Sequence, residues 1–97
     1  MARSLVKDRE AQEDLIGVWT YTFETWGETW ADSYFATVEA GIRRLLENPM
    51  LGRDRGELRP GYRSVHVEHH VVFYTVTDSE VRVRRVLHEA MDPDRHV

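Results

Sequence analysis

The sequence has no cysteine, so neither a disulfide framework nor a thiolate metal site can hold the fold together, and a reducing compartment suits it. No apolar run approaches the ~20 residues of a membrane span. Residues Met1 to Asp8 carry charge where a signal peptide would need an apolar stretch. A soluble cytoplasmic protein is the expectation. Lysine is nearly missing too: Lys7 stands alone, and the other twelve cations are arginine. That bias suits planar recognition of carboxylate or phosphate, although genomic base composition also produces it. There is no glycine-rich phosphate loop, GxSxG elbow, HExxH pair or carboxylate pair at helical spacing beside an apolar pocket. Familiar hydrolytic or cofactor chemistry therefore has little support, and no cofactor is expected.

What is present fits one domain spanning residues 1–97, long enough to bury a core of its own. The net charge is −4, unevenly spread. Residues 1–48 hold five Lys or Arg against nine Asp or Glu, whereas residues 49–97 hold eight of each and all five histidines. An acidic balance argues against broad, nonspecific duplex binding, which depends on summed phosphate neutralisation.

Residues 2–6 read as a short strand. Asp8 then offers an N-cap to a helix over roughly 8–25, with Ala11, Leu15, Val18, Trp19 and Thr22 recurring at three or four. Gly17 weakens that helix by about 1 kcal/mol relative to alanine, and Gly27 is placed to end it. Ala31, Phe35, Val38, Ile42 and Leu45, flanked by Tyr34 and Leu46, draw the stripe of a second helix that Asn48-Pro49 stops. Two amphipathic helices so closely joined should fold back as a hairpin over one sheet. A polar loop follows, and Pro60-Gly61 reads as a type II turn. Three strands complete the chain: Tyr62 to Glu68, Val71 to Val76 as the middle strand, and Val81 to His88. The Arg84-Arg85 pair breaks the alternation of the last strand, which a bulge would repair. In the tail, Asp92 can cap a short turn that begins at Pro93. The fold class is α+β, in the order β-α-α-β-β-β, with a helical hairpin on an antiparallel sheet.

Several residue groups carry chemistry. His66, His69 and His70 around Glu68 have ligand side chains, but their spacing favours a solvated hairpin over a metal site. Trp19, Trp26 and Trp30 at the helix hairpin favour core or hairpin-tip packing over base stacking, because stacking platforms come with basic surfaces and this half is acidic. Arg63, Arg82, Arg84 and Arg85 suit bidentate binding of phosphate or carboxylate, and equally suit a solvated edge strand protected by charge. His88, His96, Tyr74 and Glu89 could do acid-base work only if folding brings two of them together.

Ala11-x-x-Asp14-Leu15, Trp26-Gly27, Pro49-x-x-Gly52, Leu58 to Arg63, His70 to Tyr74, and Arg85-Val86-Leu87-His88-x-x-Met91-Asp92-x-x-Arg95-His96 together resemble the ParE branch of the RelE/ParE toxins. The order and spacing of these fragments over almost the whole chain carry the resemblance. It implies the toxin of a bacterial type II toxin-antitoxin pair, neutralised by a ParD-like antitoxin and directed at DNA gyrase, which such toxins trap on cleaved DNA. RelE-type relatives instead cut messenger RNA on the ribosome with several basic residues along the sheet and an acid-base residue near the C-terminus. Here the middle strand starts Val71-Val72, and Val65 stands two residues after Arg63. That basic set is incomplete, so a gyrase-binding toxin is expected rather than an enzyme. On this reading Arg82, Arg85, His88, Met91, Arg95 and His96 face the target, while Trp19, Trp26, Trp30, Arg63 and Arg84 face the antitoxin.

Overall fold

The computed structural model describes residues 2–97. Strand β1 (Ser4–Lys7) leads into helix α1 (Arg9–Trp26), joined to α2 (Glu28–Glu47) by a single residue. That residue, Gly27, has φ 94°, a conformation L side chains rarely adopt. Its N–H donates to the Phe23 carbonyl at 2.9 Å and its own carbonyl accepts from Ala31 N at 3.0 Å, so one glycine closes the first helix and opens the second. Ala11, Leu15 and Val18 on α1, and Ala31, Val38, Ile42 and Leu45 on α2, are the buried positions that the periodicity selects. Asp8 stands at the N-cap with extended backbone, but its carboxylate makes no capping bond.

The remaining elements are β2 (Arg53–Asp54), β3 (Arg63–Val67), β4 (His70–Val76), β5 (Glu80–His88) and a final turn of helix, α3 (Pro93–His96). The sheet order is β1-β5-β4-β3-β2. The Arg59–Tyr62 turn forms as expected, with Tyr62 N donating to Arg59 O at 3.1 Å and Gly61 at φ 82°. In the tail the Asp92 carboxylate accepts from Asp94 N at 3.1 Å. The expected bulge is present as well: Phe73 pairs with Arg85 and Tyr74 with Val83, leaving Arg84 as the extra residue.

Three features depart from the sequence reading. The sheet is mixed rather than antiparallel, because β1 pairs with β5 in parallel, Ser4 opposite Glu80 through Lys7 opposite Val83. The polar loop contains a two-residue strand, β2, antiparallel to β3. The closing strand is interior between β1 and β4 and not a solvated edge. The helical hairpin causes the first and last of these departures. It carries the chain from β1 at one edge of the sheet to β2 at the other, and β3, β4 and β5 then add in turn back towards β1, so that β5 ends beside it.

Val67, Val72, Tyr74, Val81, Val83 and Val86 pack against the helical stripes. Tyr74 is fully buried, donating its hydroxyl to Pro49 O at 2.8 Å and accepting from Gly52 N at 2.8 Å. It therefore pins the loop after α2 and is unavailable for the acid-base role its identity suggested. Among the described residues no helix is long and apolar enough to cross a membrane.

The two glycines within helices should respond oppositely to alanine. A Cβ on Gly17 meets nothing within 4 Å, whereas one on Gly41 would sit 2.7 Å from Val67 Cγ2. Gly17→Ala should stabilise the fold by about 0.5–1 kcal/mol through helix propensity. Gly41→Ala should destabilise it by about 1–2 kcal/mol, overpacking outweighing the same propensity gain. Urea unfolding of the two variants beside the parent checks both signs.

Candidate functional site

Past Val83 the strand β1 has ended, since Asp8 N makes the last contact to Val83 O at 2.9 Å. One side of β5 is then open, and helix α1 runs beside it. Asp14 fills the gap: its carboxylate accepts from Val86 N at 2.9 Å and from Arg85 in a two-pronged pair, Nε to Oδ2 at 2.8 Å and Nη2 to Oδ1 at 3.1 Å. The same guanidinium donates to the His96 carbonyl at 2.6 Å, tying the tail to the sheet. Upstream, Asp8 receives Arg82 at 2.9 Å and Arg84 at 3.1 Å, and Arg82 also holds Glu80. Burial works to raise the Asp8 pKa, but the hydrogen bonds and charges of the two arginines outweigh it and hold it below the ordinary carboxylate value.

Between the helices and this half of β5 lies an open groove of about 1020 Å³. Tyr21, Trp26, Trp30, Val86, Leu87 and Met91 give it an apolar lining. Trp26 and Trp30 are 66% and 64% exposed and stand 6.3 Å apart at the hairpin tip. Of the core or hairpin-tip packing expected, these two show the second, because the one-residue Gly27 joint turns both outward. Trp19 instead lies along α1, stacked on Phe23 at 5.1 Å and donating Nε1–H to Asp32 at 3.0 Å, which braces the two helices.

The floor of the groove carries a polar cluster. The Tyr34 hydroxyl lies 2.7 Å from His70 Nδ1 and accepts from His69 N at 3.1 Å, so its proton is free to go to a neutral imidazole. Burial pushes His70 down to about 4, with His88 and His69 adding to the effect and Glu89 opposing it. Burial also raises the Tyr34 hydroxyl above its ordinary value, against the His69 hydrogen bond. His66 and His69 grip the two oxygens of Glu89 at 2.8 and 3.0 Å, and these hydrogen bonds lower its pKa. Glu68 begins the tight loop between β3 and β4 with φ 54°. Among the described residues no three His, Asp or Glu side chains are placed to hold a metal.

On the other sheet face Arg55 overlies Phe73, its guanidinium 5.5 Å from the ring centroid, beside a cavity of about 360 Å³ that Leu87, Met91 and Pro93 help to line. The structure thus divides the expected site residues. Arg82, Arg84 and Arg85 are engaged with carboxylates of their own chain. Arg63 donates to the Gly52 carbonyl at 2.6 Å and to Met50 O at 3.4 Å, fixing the loop after α2. His88 and Met91 border the groove, while Arg95 and His96 sit exposed on α3, Arg95 3.9 Å from Asp92. Asp14, Tyr21 and Tyr34 were missed as site residues. For Asp14 a signal existed: it falls between Ala11 and Val18 on the stripe that α1 buries, where a carboxylate needs a partner.

Residues 5–93 match the family model described as the ParE toxin of the type II toxin-antitoxin system parDE. Toxin ParE1 of Mycobacterium tuberculosis is 40% identical over 88 residues, 90% of each chain. Toxin ParE1 of Caulobacter vibrioides is 38% identical over 89 residues, 92% of each. Among solved structures, the chromosomal ParDE system of P. aeruginosa superposes with a TM-score of 0.79 at 20% identity, covering 90% of this chain and 96% of that one. The E. coli DinJ-YafQ toxin-antitoxin complex gives 0.61 at 17% identity, covering 93% and 96%.

Two stability measurements follow from this geometry. Asp14→Ala removes the two-pronged partner of the mostly buried Arg85, leaving it the His96 carbonyl and a longer contact to exposed Glu10, and frees Val86 N–H; it should cost about 2–4 kcal/mol by urea unfolding, with Asp14→Asn costing less. For His70 the folded value lies below the ordinary 6.5, so between the two the unfolded chain binds more protons. Its contribution is complete above about pH 6.5 and declines as pH falls toward 4. With partial solvent screening the loss is on the order of 1–2 kcal/mol. His70→Gln should flatten the stability profile over that window; an unchanged slope would assign it elsewhere.

Proposed function

The chain belongs to the ParE toxin family of type II toxin-antitoxin systems, and from that premise we propose that it inhibits DNA gyrase in the cytoplasm by direct, stoichiometric binding and not by catalysis. An antitoxin is the partner that such a pair supplies. The observation that carries the non-enzymatic reading is the fate of the closing-strand arginines. Arg82, Arg84 and Arg85 are each bound to a carboxylate of the same chain, so stabilising a developing phosphate charge would first require breaking those pairs. Tyr74, a candidate for proton transfer, is buried and bonded at both ends.

The antitoxin, ParD-like on this reading, lays an apolar segment into the groove between the helices and β5. Trp26, Trp30 and Tyr21 are large, exposed and grouped, the side chains that most often dominate a protein interface. A flexible segment that orders on the groove can cover much of so small a toxin. Trp19 supports this surface indirectly, through its bond to Asp32.

Purified toxin should block supercoiling by gyrase and accumulate cleaved DNA, while a translation reaction shows no codon-positioned messenger cuts. Cuts on programmed ribosomes with gyrase unaffected would establish the endoribonuclease alternative instead. Trp26→Ala and Trp30→Ala should each weaken antitoxin binding by on the order of 10- to 100-fold in calorimetry, as loss of a central aromatic anchor does.

A further inference from the structure

Two histidines on the floor of the groove keep an N–H that the chain does not use. His66 and His69 spend theirs on Glu89, whose carboxylate can only accept. His70 and His88 are set the other way. Ala90 N–H donates to His88 Nδ1 at 3.1 Å, and the Tyr34 hydroxyl, already accepting from His69 N, donates to His70 Nδ1 at 2.7 Å. A neutral imidazole whose Nδ1 accepts must carry its proton on Nε2. Both rings are therefore fixed as the same tautomer, and among the described residues neither Nε2–H reaches an acceptor. No buried side-chain nitrogen or oxygen among those residues lacks a partner, so the two N–H groups are open to water in the free toxin.

The two imidazoles stand nearly at right angles, 86° with centroids 5.3 Å apart, and Tyr34 meets His70 edge-on at 5.5 Å. Tyr34 comes from α2, His70 from β4 and His88 from β5, so the fold sets their geometry before any partner arrives. Both histidines line the groove together with Val86, Leu87 and Met91. A segment that fills the groove displaces the water on these donors. If it brought only apolar side chains, two N–H groups would be left unpaired, each weakening binding by about tenfold. The setting also selects the charge of the acceptor. Glu13, Asp14 and Glu68 line the groove, no lysine or arginine does, and Arg85 is already bound to Asp14. Burial keeps His70 uncharged, its pKa pushed down to about 4. A carboxylate would thus meet three acids and neutral rings, whereas an uncharged carbonyl meets donors alone.

We propose that His70 and His88 are the polar recognition pair of the groove, each donating its Nε2–H to an uncharged carbonyl oxygen of the antitoxin segment seated there. The proposal rests on the reading of the groove as the antitoxin's seat. It moves His88 from the target-facing side, where the family resemblance placed it, to the antitoxin's. The carbonyl belongs either to the backbone of a non-helical stretch or to an Asn or Gln side chain, since backbone carbonyls inside a helix are already used. A groove-filling sequence with no acceptor in register is rejected, so the pair discriminates among antitoxins that share one apolar pattern.

The test titrates full-length antitoxin into the full-length parent and four variants by calorimetry, with thermal unfolding reporting on the fold. At either position Asn sets an amide oxygen where Nδ1 lies, keeping an acceptor for Ala90 N–H or Tyr34 O–H while deleting the outer N–H; Gln does the reverse. H70N and H88N should each bind about tenfold more weakly, and H70Q and H88Q should stay within about threefold of the parent. Nitrogen NMR of the histidine-labelled parent needs no substitution: both rings should carry Nε2–H in the free toxin, and exchange of those protons with water should slow in the complex. Overhauser contacts from them to labelled antitoxin tell a backbone carbonyl from a side-chain amide. If Trp26→Ala and Trp30→Ala lose binding while both Asn variants match the parent, the groove reading stands and the proposal is overturned. If the tryptophan variants match the parent as well, the antitoxin sits elsewhere and both fall. Equal losses in Asn and Gln variants, with exchange unchanged in the complex, would leave the rings a role in the fold alone and overturn the proposal. Uptake of a proton on Nδ1 in the complex would identify a carboxylate partner and overturn the uncharged acceptor.

Discussion

Where strand β1 stops, the carboxylate of Asp14 takes over as the neighbour of β5. It satisfies a strand N–H that would otherwise face the underside of a helix, and neutralises the arginine beside it. Through Arg85 it also reaches the His96 carbonyl, so helix, sheet and tail meet at one group. The angle of α1 over the sheet is set there, and with it the distance between the aromatic tip and the end of β5. The groove exists because a helix, and not another strand, closes this part of the sheet.

That arrangement explains which parts of the molecule were legible in the sequence. The helices were readable because Ala11, Leu15 and Val18, and then Ala31, Val38, Ile42 and Leu45, repeat at the helical period and are buried. The bulge was readable because Arg84-Arg85 broke a strict alternation, and the structure supplies the extra residue there. The partner of β1 was not readable, since a four-residue strand carries no mark of direction and its neighbour lies at the opposite end of the chain. The same long-range pairing turned an expected edge strand into an interior one.

Arginine side chains show the limit of composition more sharply. As a set, Arg82, Arg84 and Arg85 looked like a recognition patch. Their roles depend on which acids the fold brings near. Asp8 lies 74 residues from Arg82 and Asp14 71 residues from Arg85, separations no local pattern records. The tryptophans are similar: Trp19 is used within the hairpin, whereas Trp26 and Trp30 point outward because one glycine permits a reversal too abrupt to enclose them.

The parallel pairing of β1 with β5 also has a consequence in time. Ser4 leaves the ribosome well before Glu80, its partner. At about 5–20 residues per second, synthesis of the intervening chain occupies roughly 4–15 s. During that interval β1 has no strand to join and Asp14 has no Arg85 to hold. The sheet and the groove can therefore close only after β5 has been made, and closure of so non-local a pairing is slow. The groove is absent until β5 has joined β1 and Asp14 has met Arg85.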